Sequence, residues 1–248
     1  MATAERVGAS KTIDGEKEDS MNQDQVAELL YQALETELGG VNLYETAVQC
    51  AVNEDLKKEW REYLEQTTNH VEKMRDVLES LGLDPETETP GRRIVRHLGE
   101  SLVTAMEMAR KNGEPQAAEL VAAECIALAE TKDHLNWELM GEISKNGSGR
   151  NGMSVMKEAH KEIEAEEDEH LYHTLGWTRE LWMKSLGVRA VIPPPEEKQD
   201  VKTMAEAARA KENRLGKKSG SRSSRSTSPK TRASGNGRKK SSRRARSS

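Results

Sequence analysis

A carboxylate in the middle of an apolar helical stripe is costly unless it is paired, protonated or bound to a cation. Projected at about 100° per residue, four stretches of this chain place acids or imidazoles in such a position. In the first, Val26, Leu30, Ala33, Leu34, Leu38, Val41, Ala47 and Val48 form the stripe; Glu37 lies at its centre and Tyr44 follows two turns later. In the second, Leu56, Trp60, Tyr63, Leu64, Val71, Met74, Leu78 and Leu81 enclose Thr67 and His70. In the third, Leu120, Val121, Leu128, Leu135 and Leu139 enclose Glu124. In the fourth, Met153, Met156, Ile163, Leu171, Leu181 and Trp182 enclose Glu167 and His170, with His160, Glu164 and Thr174 on the same face. The chemistry open to such a set is cation binding, because carboxylates and imidazoles together suit iron or manganese. Glu130 and His134 form an alternative pair that falls off the apolar centre of its helix. Glu35 points away from its stripe and reads as solvated, and His97 and His173 read as surface residues. Tyr44 and Trp60 read as packing groups, and Cys50 and Cys125 as small buried hydrophobes.

The elements that must carry these residues are helical. Two long stretches, about 22–52 and 53–81, run almost without breakers, and Asn53 followed by Glu54 and Asp55 makes a good helix start. The segment GLDPETETP from Gly82 to Pro90 breaks the pattern. A shorter amphipathic helix, about 92–111, leads through Asn112-Gly113 into long helices over about 114–144 and 153–186, separated by the loop KNGSGRNG. Pro193-Pro194-Pro195 ends the body, and a charged helix follows over about 200–215. This is an all-α chain: two helical hairpins joined by a long helical crossover, the topology of a ferritin-like four-helix bundle. The division expected is a polar leader at 1–21, the bundle at 22–190, a Pro-containing linker and short helix at 191–215, and a basic tail at 216–248.

The hairpins repeat each other. Ala33, Leu34, Val41 and Val48 surround Glu37 at the offsets at which Leu120, Val121, Leu128 and Leu135 surround Glu124. At a shift of 100, Thr67-x-x-His70 falls on Glu167-x-x-His170, Tyr63 on Ile163 and Val71 on Leu171. On these residues the chain resembles the ferritin-like di-iron carboxylate proteins of the bacterioferritin and rubrerythrin kind, over about residues 24–186. The segment with Glu37 and Tyr44 is similar to the bacterioferritin helix that supplies a terminal Glu and a nearby Tyr. Glu124 matches the third-helix Glu, Glu167 and His170 the fourth-helix Glu-x-x-His, and His70 the second-helix His.

The resemblance implies that Glu37, His70, Glu124, Glu167 and His170 ligate iron or manganese, with open positions that admit oxygen or peroxide. Thr67 departs from it, standing where the family places a bridging Glu. That leaves three occupancies open: one metal, two unequal ones, or none. Glu164 and His160 lie near enough in pattern to compensate. The implied activity is that of a ferroxidase or a peroxidase-type di-metal oxidoreductase in stress protection, in a chain that could also form a homo-oligomer. The alternatives are a nucleic-acid-associated protein that keeps the bundle as a scaffold with a degenerate site, and a scaffold whose acidic face recruits a basic partner.

Composition sets the remaining bounds. No run of about 18 apolar residues exists, so no helix is expected to span a membrane and no membrane partner is expected. Two cysteines and the absence of an apolar leader point to a cytoplasmic chain. Charge is segregated. From Gly216 to Ser248 there are 12 basic residues and no acid: Lys217, Lys218, Arg222, Arg225, Lys230, Arg232, Arg238, Lys239, Lys240, Arg243, Arg244 and Arg246. The preceding residues carry 26 basic and 43 acidic side chains, a net of −17. A Ser/Arg/Lys tail without aromatic residues cannot bury apolar area and is expected to be disordered. Its charge suits DNA or another polyanion, held without base stacking, and phosphate on its serines would cancel that charge.

Overall fold

The computed structural model describes residues 21–147 and 152–216. The expectations for the leader and the basic tail, including its twelve cations, fall outside these residues, apart from Met21 and Gly216 at their edges. The described residues are all-α, with seven helices and no strand: α1 Gln23–Cys50, α2 Glu54–Ser80, α3 Pro90–Asn112, α4 Pro115–Asn146, α5 Met153–Ser185, α6 Pro195–Lys198 and α7 Met204–Asn213. Among them no helix is long and apolar enough to cross a membrane.

Local chemistry sets the helix starts. Asn22 accepts from the Gln25 amide, and Asn53 from the amides of Asp55 and Leu56. Thr89 caps α3, with Pro90 in the first turn where its missing N–H costs nothing. The same property lets Pro195 open α6, so the triple proline begins an element, while α5 has already ended at Ser185.

The four long helices pack in a ring: α1 touches α2 and α4, and α5 touches the same two; α3 lies across α1 and α4. Two apolar clusters fill the ring. One holds Leu43, Tyr44, Ala47, Leu56, Trp60, Tyr63, Ala123, Ile126 and Trp177. The other holds Leu30, Leu34, Met74, Leu78, Trp137, Met140, Met156 and Ile163. Each long helix passes from one cluster to the other, α1 and α5 in one sense and α2 and α4 in the opposite sense. The residues between the clusters are Glu37 and Gly40 on α1, Thr67 and His70 on α2, Glu130 and Asp133 on α4, and Glu167 and His170 on α5. A polar layer is therefore held between two dry ones.

Three expectations about faces are corrected. On α4, Leu128, Leu135 and Leu139 are exposed. The face that α4 turns inward is built of small and polar residues, Ala118, Ala122, Ala123, Glu130, Asp133 and Gly141, together with Ile126, Trp137 and Met140. Glu35 is buried rather than solvated: the crossover helix brings Arg92 Nε to 2.6 Å from Oε2 and Arg96 Nε to 2.6 Å from Oε1. Burial opposes the charge on Glu35, but Arg96 and Arg92 outweigh it and lower its pKa. His173 is also buried, at 3% exposure.

Candidate metal centre

The polar layer gathers two groups of three side chains. Glu37, His70 and Glu167 each offer a ligand atom within 4.8 Å of the others, and so do Glu130, Glu167 and His170. Glu167 belongs to both. His70 Nδ1 lies 2.9 Å from Glu167 Oε1 and 3.7 Å from Glu37 Oε2. His170 Nδ1 lies 3.7 Å from Glu130 Oε2 and 3.9 Å from Glu167 Oε1. The imidazoles stack with centroids 5.7 Å apart. All five residues are at most 4% exposed.

The partners around these groups are reciprocal. His70 Nε2 meets Glu166 Oε2 at 2.8 Å, and His170 Nε2 meets Gln66 Oε1 at 2.7 Å. Gln66 and Glu166 are themselves 100 residues apart, so each of α2 and α5 fixes the outer nitrogen of the other's imidazole. Tyr44 donates its hydroxyl to Glu130 Oε1 at 2.6 Å, and Trp137 donates Nε1–H to Glu37 Oε1 at 2.6 Å. Tyr44 stands seven residues after Glu37, and Trp137 seven after Glu130. The repeat between α1 and α4 therefore has a shift of 93 and pairs Glu37 with Glu130.

Glu124 is consequently not a member of the centre. Six residues turn a helix by about 240°, which puts Glu124 on another face, where its Oε1 accepts from Trp182 Nε1 at 2.9 Å. The Leu120-Val121-Leu128-Leu135 pattern that drew attention to it belongs partly to the outer surface. Thr67 lies in the layer, 2% exposed, but contributes to neither group. It packs toward α1, where a Cβ added to Gly40 would meet its methyl at 3.0 Å. His134 and His160 also stay outside the groups: His134 Nε2 pairs with Asp168 Oδ1 at 2.7 Å, and His160 Nδ1 lies 3.7 Å from Glu164 Oε2. Both histidines, with Glu164 and Asp168, line a cavity of about 710 Å³ that also touches Trp137 and Glu167.

Sequence reading missed Gln66, Asp133, Trp137 and Glu166. The seven-residue spacing from acid to aromatic, present twice, was the available signal. Asp133 is 5% exposed, one turn beyond Glu130, and one of its oxygens has no hydrogen-bond partner.

Electrostatically the layer is crowded with like charge. Burial disfavours the imidazolium of His70, but Glu166, Glu167 and Glu37 outweigh that and push its pKa up to about 12. Burial raises Glu167 above the usual carboxylate range; His70 opposes this, while Glu37 and Glu130 add to it. Glu37 Oε2, His70 Nδ1, Glu130 Oε2 and Glu167 Oε2 are buried without hydrogen-bond partners. Three carboxylate oxygens and an imidazole nitrogen left over in one layer are donors that fit iron(II) or manganese(II).

No protein-family model, no curated protein and no solved structure matches this chain.

Proposed function

We propose that residues 22–190 form a ferritin-like four-helix bundle with α3 as its crossover, and that its centre binds two iron or manganese ions to oxidise or store iron or to consume peroxide. The observation that carries this reading is the sharing of Glu167 between two carboxylate–imidazole groups. Glu37, His70 and Glu167 would hold one ion, and Glu130, His170 and Glu167 the other. The bound metal would supply the electron transfer and the open positions at which oxygen or peroxide reacts.

The chain's own residues supply the rest. Glu166 and Gln66 fix the outer nitrogens of the imidazoles, so that Nδ1 of each ring is the one turned to the acids. Tyr44 and Trp137 occupy one oxygen each of Glu130 and Glu37 and leave the other free. The apolar clusters above and below exclude water and strengthen every interaction in the layer. Asp133 offsets the bridging acid absent at Thr67, so the layer keeps four carboxylates.

The test is anaerobic loading with iron(II) followed by metal quantification. Wild type is expected to hold two ions per chain more than Glu167→Ala, because removing the shared acid opens both groups. Equal metal content in the two proteins would sink the reading.

A second reading rests on the segregated charge. Twelve cations without an acid suit a polyanion, and an acidic body does not. Removing residues 217–248 is expected to abolish retention on double-stranded DNA at low salt; unchanged retention would exclude the tail as the binder.

A further inference from the structure

A third constellation lies outside the central layer, where α5 meets the turn between α6 and α7. Glu169 and His173 stand one turn apart on α5 and share a face, and Asp200 follows α6. One ligand atom from each lies within 4.8 Å of the others. With Glu59, Tyr63 and Glu197, these three line a cavity of about 200 Å³.

The histidine gives the cluster its direction. His173 Nδ1 lies 3.2 Å from Glu59 Oε1 and 3.1 Å from the Tyr63 hydroxyl. A carboxylate there selects the Nδ1–H tautomer and leaves the lone pair on Nε2. Nε2 is buried and has no hydrogen-bond partner. Glu197 Oε2, on the same cavity, has none either. Imidazole held from behind by a carboxylate, with its second nitrogen free, is the arrangement of a metal-ligating histidine. The charge of the cavity agrees. The acids lining it are Asp55, Glu59, Glu62, Glu169, Glu197 and Asp200 against one lysine, Lys58; the cation that pairs with the ligand trio is Lys202, whose Nζ lies 3.3 Å from Glu169 and 3.5 Å from Asp200 on a side chain 42% exposed. An ammonium on so exposed a stem can leave for solvent when a competing cation arrives.

We propose that Glu169, His173 and Asp200 form a separate site for a single divalent ion of the manganese(II) or iron(II) kind, with Glu59 and Tyr63 orienting the His173 ring. Two carboxylates with one imidazole suit these ions better than calcium, which takes oxygen alone, or copper(I), which prefers thiolate. Tyr63 separates this site from the central one: its ring lies 4.1 Å from the His170 ring, centroid to centroid, while its hydroxyl reaches His173.

Manganese(II) titration of the full-length protein, followed by the loss of the free-ion electron paramagnetic resonance signal, tests the assignment. Asp200 is exposed and has φ 49°, a left-handed conformation that asparagine tolerates well, so Asp200→Asn keeps the turn. Asp200→Asn is expected to bind one manganese ion per chain fewer than wild type. The same loss of one is expected when the change is made in a Glu167→Ala background, which makes the site independent of the central pair. Lys202→Met, which removes the competing ammonium, is expected to tighten the site about tenfold. Equal manganese content with and without Asp200→Asn would overturn the proposal and leave Glu169 and Asp200 as partners of Lys202 alone. A protein in which Glu167→Ala changes nothing and Asp200→Asn still loses one ion would refute the central reading and keep this one.

Discussion

Asp133 is buried beside other acids, and burial together with Glu37, Glu167 and Glu130 raises its carboxyl well above the usual range. A raised carboxylate pKa in the fold means that the folded chain binds a proton the unfolded chain has lost. Its cost to stability is absent below the unfolded value and grows as pH rises above it. Asp133→Asn keeps the shape and removes that cost. The metal-free protein is therefore expected to gain stability at pH 7, while its affinity for manganese(II) falls about tenfold for want of the fourth carboxylate. Urea denaturation with and without the metal separates the two effects, and a metal-free protein that loses stability would show that Asp133 is held as a structural anion. Tyr44 and Trp137 give a matched pair of changes. Tyr44→Phe leaves Glu130 Oε1 without its donor, and Trp137→Phe does the same to Glu37 Oε1. Each is expected to lower thermal stability by about 1–3 kcal/mol. Similar losses in the two variants would support the symmetry of the centre, and a loss in only one would break it.

Among the elements, what could be read beforehand followed from local chemistry. Asn53 caps α2 where it is expected to, and the long helices lie within two or three residues of the stretches read from periodicity. His70, Glu167 and His170 were legible because α2 and α5 carry bulky residues on one face. α4 was not, since much of its inward face is alanine, cysteine and acid while Leu128, Leu135 and Leu139 point out. Apolar size is a poor guide where close helix approach demands small side chains, and that alone moved the expected acid from Glu130 to Glu124. Glu35 was misread for a related reason: its partners Arg92 and Arg96 sit on the crossover, some 60 residues away, and no pattern within α1 reveals them. That ion cluster fastens α3 to α1. Glu35→Gln leaves the guanidinium of Arg92, 3% exposed, without its counter-charge, and is expected to cost about 3 kcal/mol. Limited proteolysis should then cut within α3 before the other helices; unchanged cleavage would mean that apolar contacts alone hold the crossover.

At the scale of the whole molecule, the acidic body is not uniformly solvated. Several of its acids are buried, and the two that fasten the end of the body, Glu180 and Glu196, are bound by arginines. Arg214, just after α7, places Nε 2.7 Å from Glu180 Oε1 and an Nη 2.7 Å from Oε2, and the Val191 amide donates to Oε2 at 2.8 Å. Arg179 contacts Glu180 and reaches both oxygens of Glu196 at 2.8 Å. The segment after α5, which carries Asp200 and Lys202, is thus strapped back onto α5 by charge, while Val201 and Ala210 are buried against Leu171 and Tyr172. Burial works against the charge on Glu180, but Arg214, the Val191 amide and Arg179 outweigh it and lower its pKa to about 2. A lowered carboxylate pKa stabilises the fold above the unfolded value near 4.3, and the contribution is lost as pH falls toward 2. Allowing for screening of the nearby arginines by solvent, its size at neutral pH is on the order of 2 kcal/mol. Glu180→Gln is therefore expected to destabilise the protein most at pH 7, progressively less from pH 5 downward, and hardly at all near pH 2. Chemical denaturation of both proteins across that range measures the difference directly; a gap that stays constant with pH would mean that Glu180 acts through its shape and hydrogen bonds and that its charge contributes nothing to the strap.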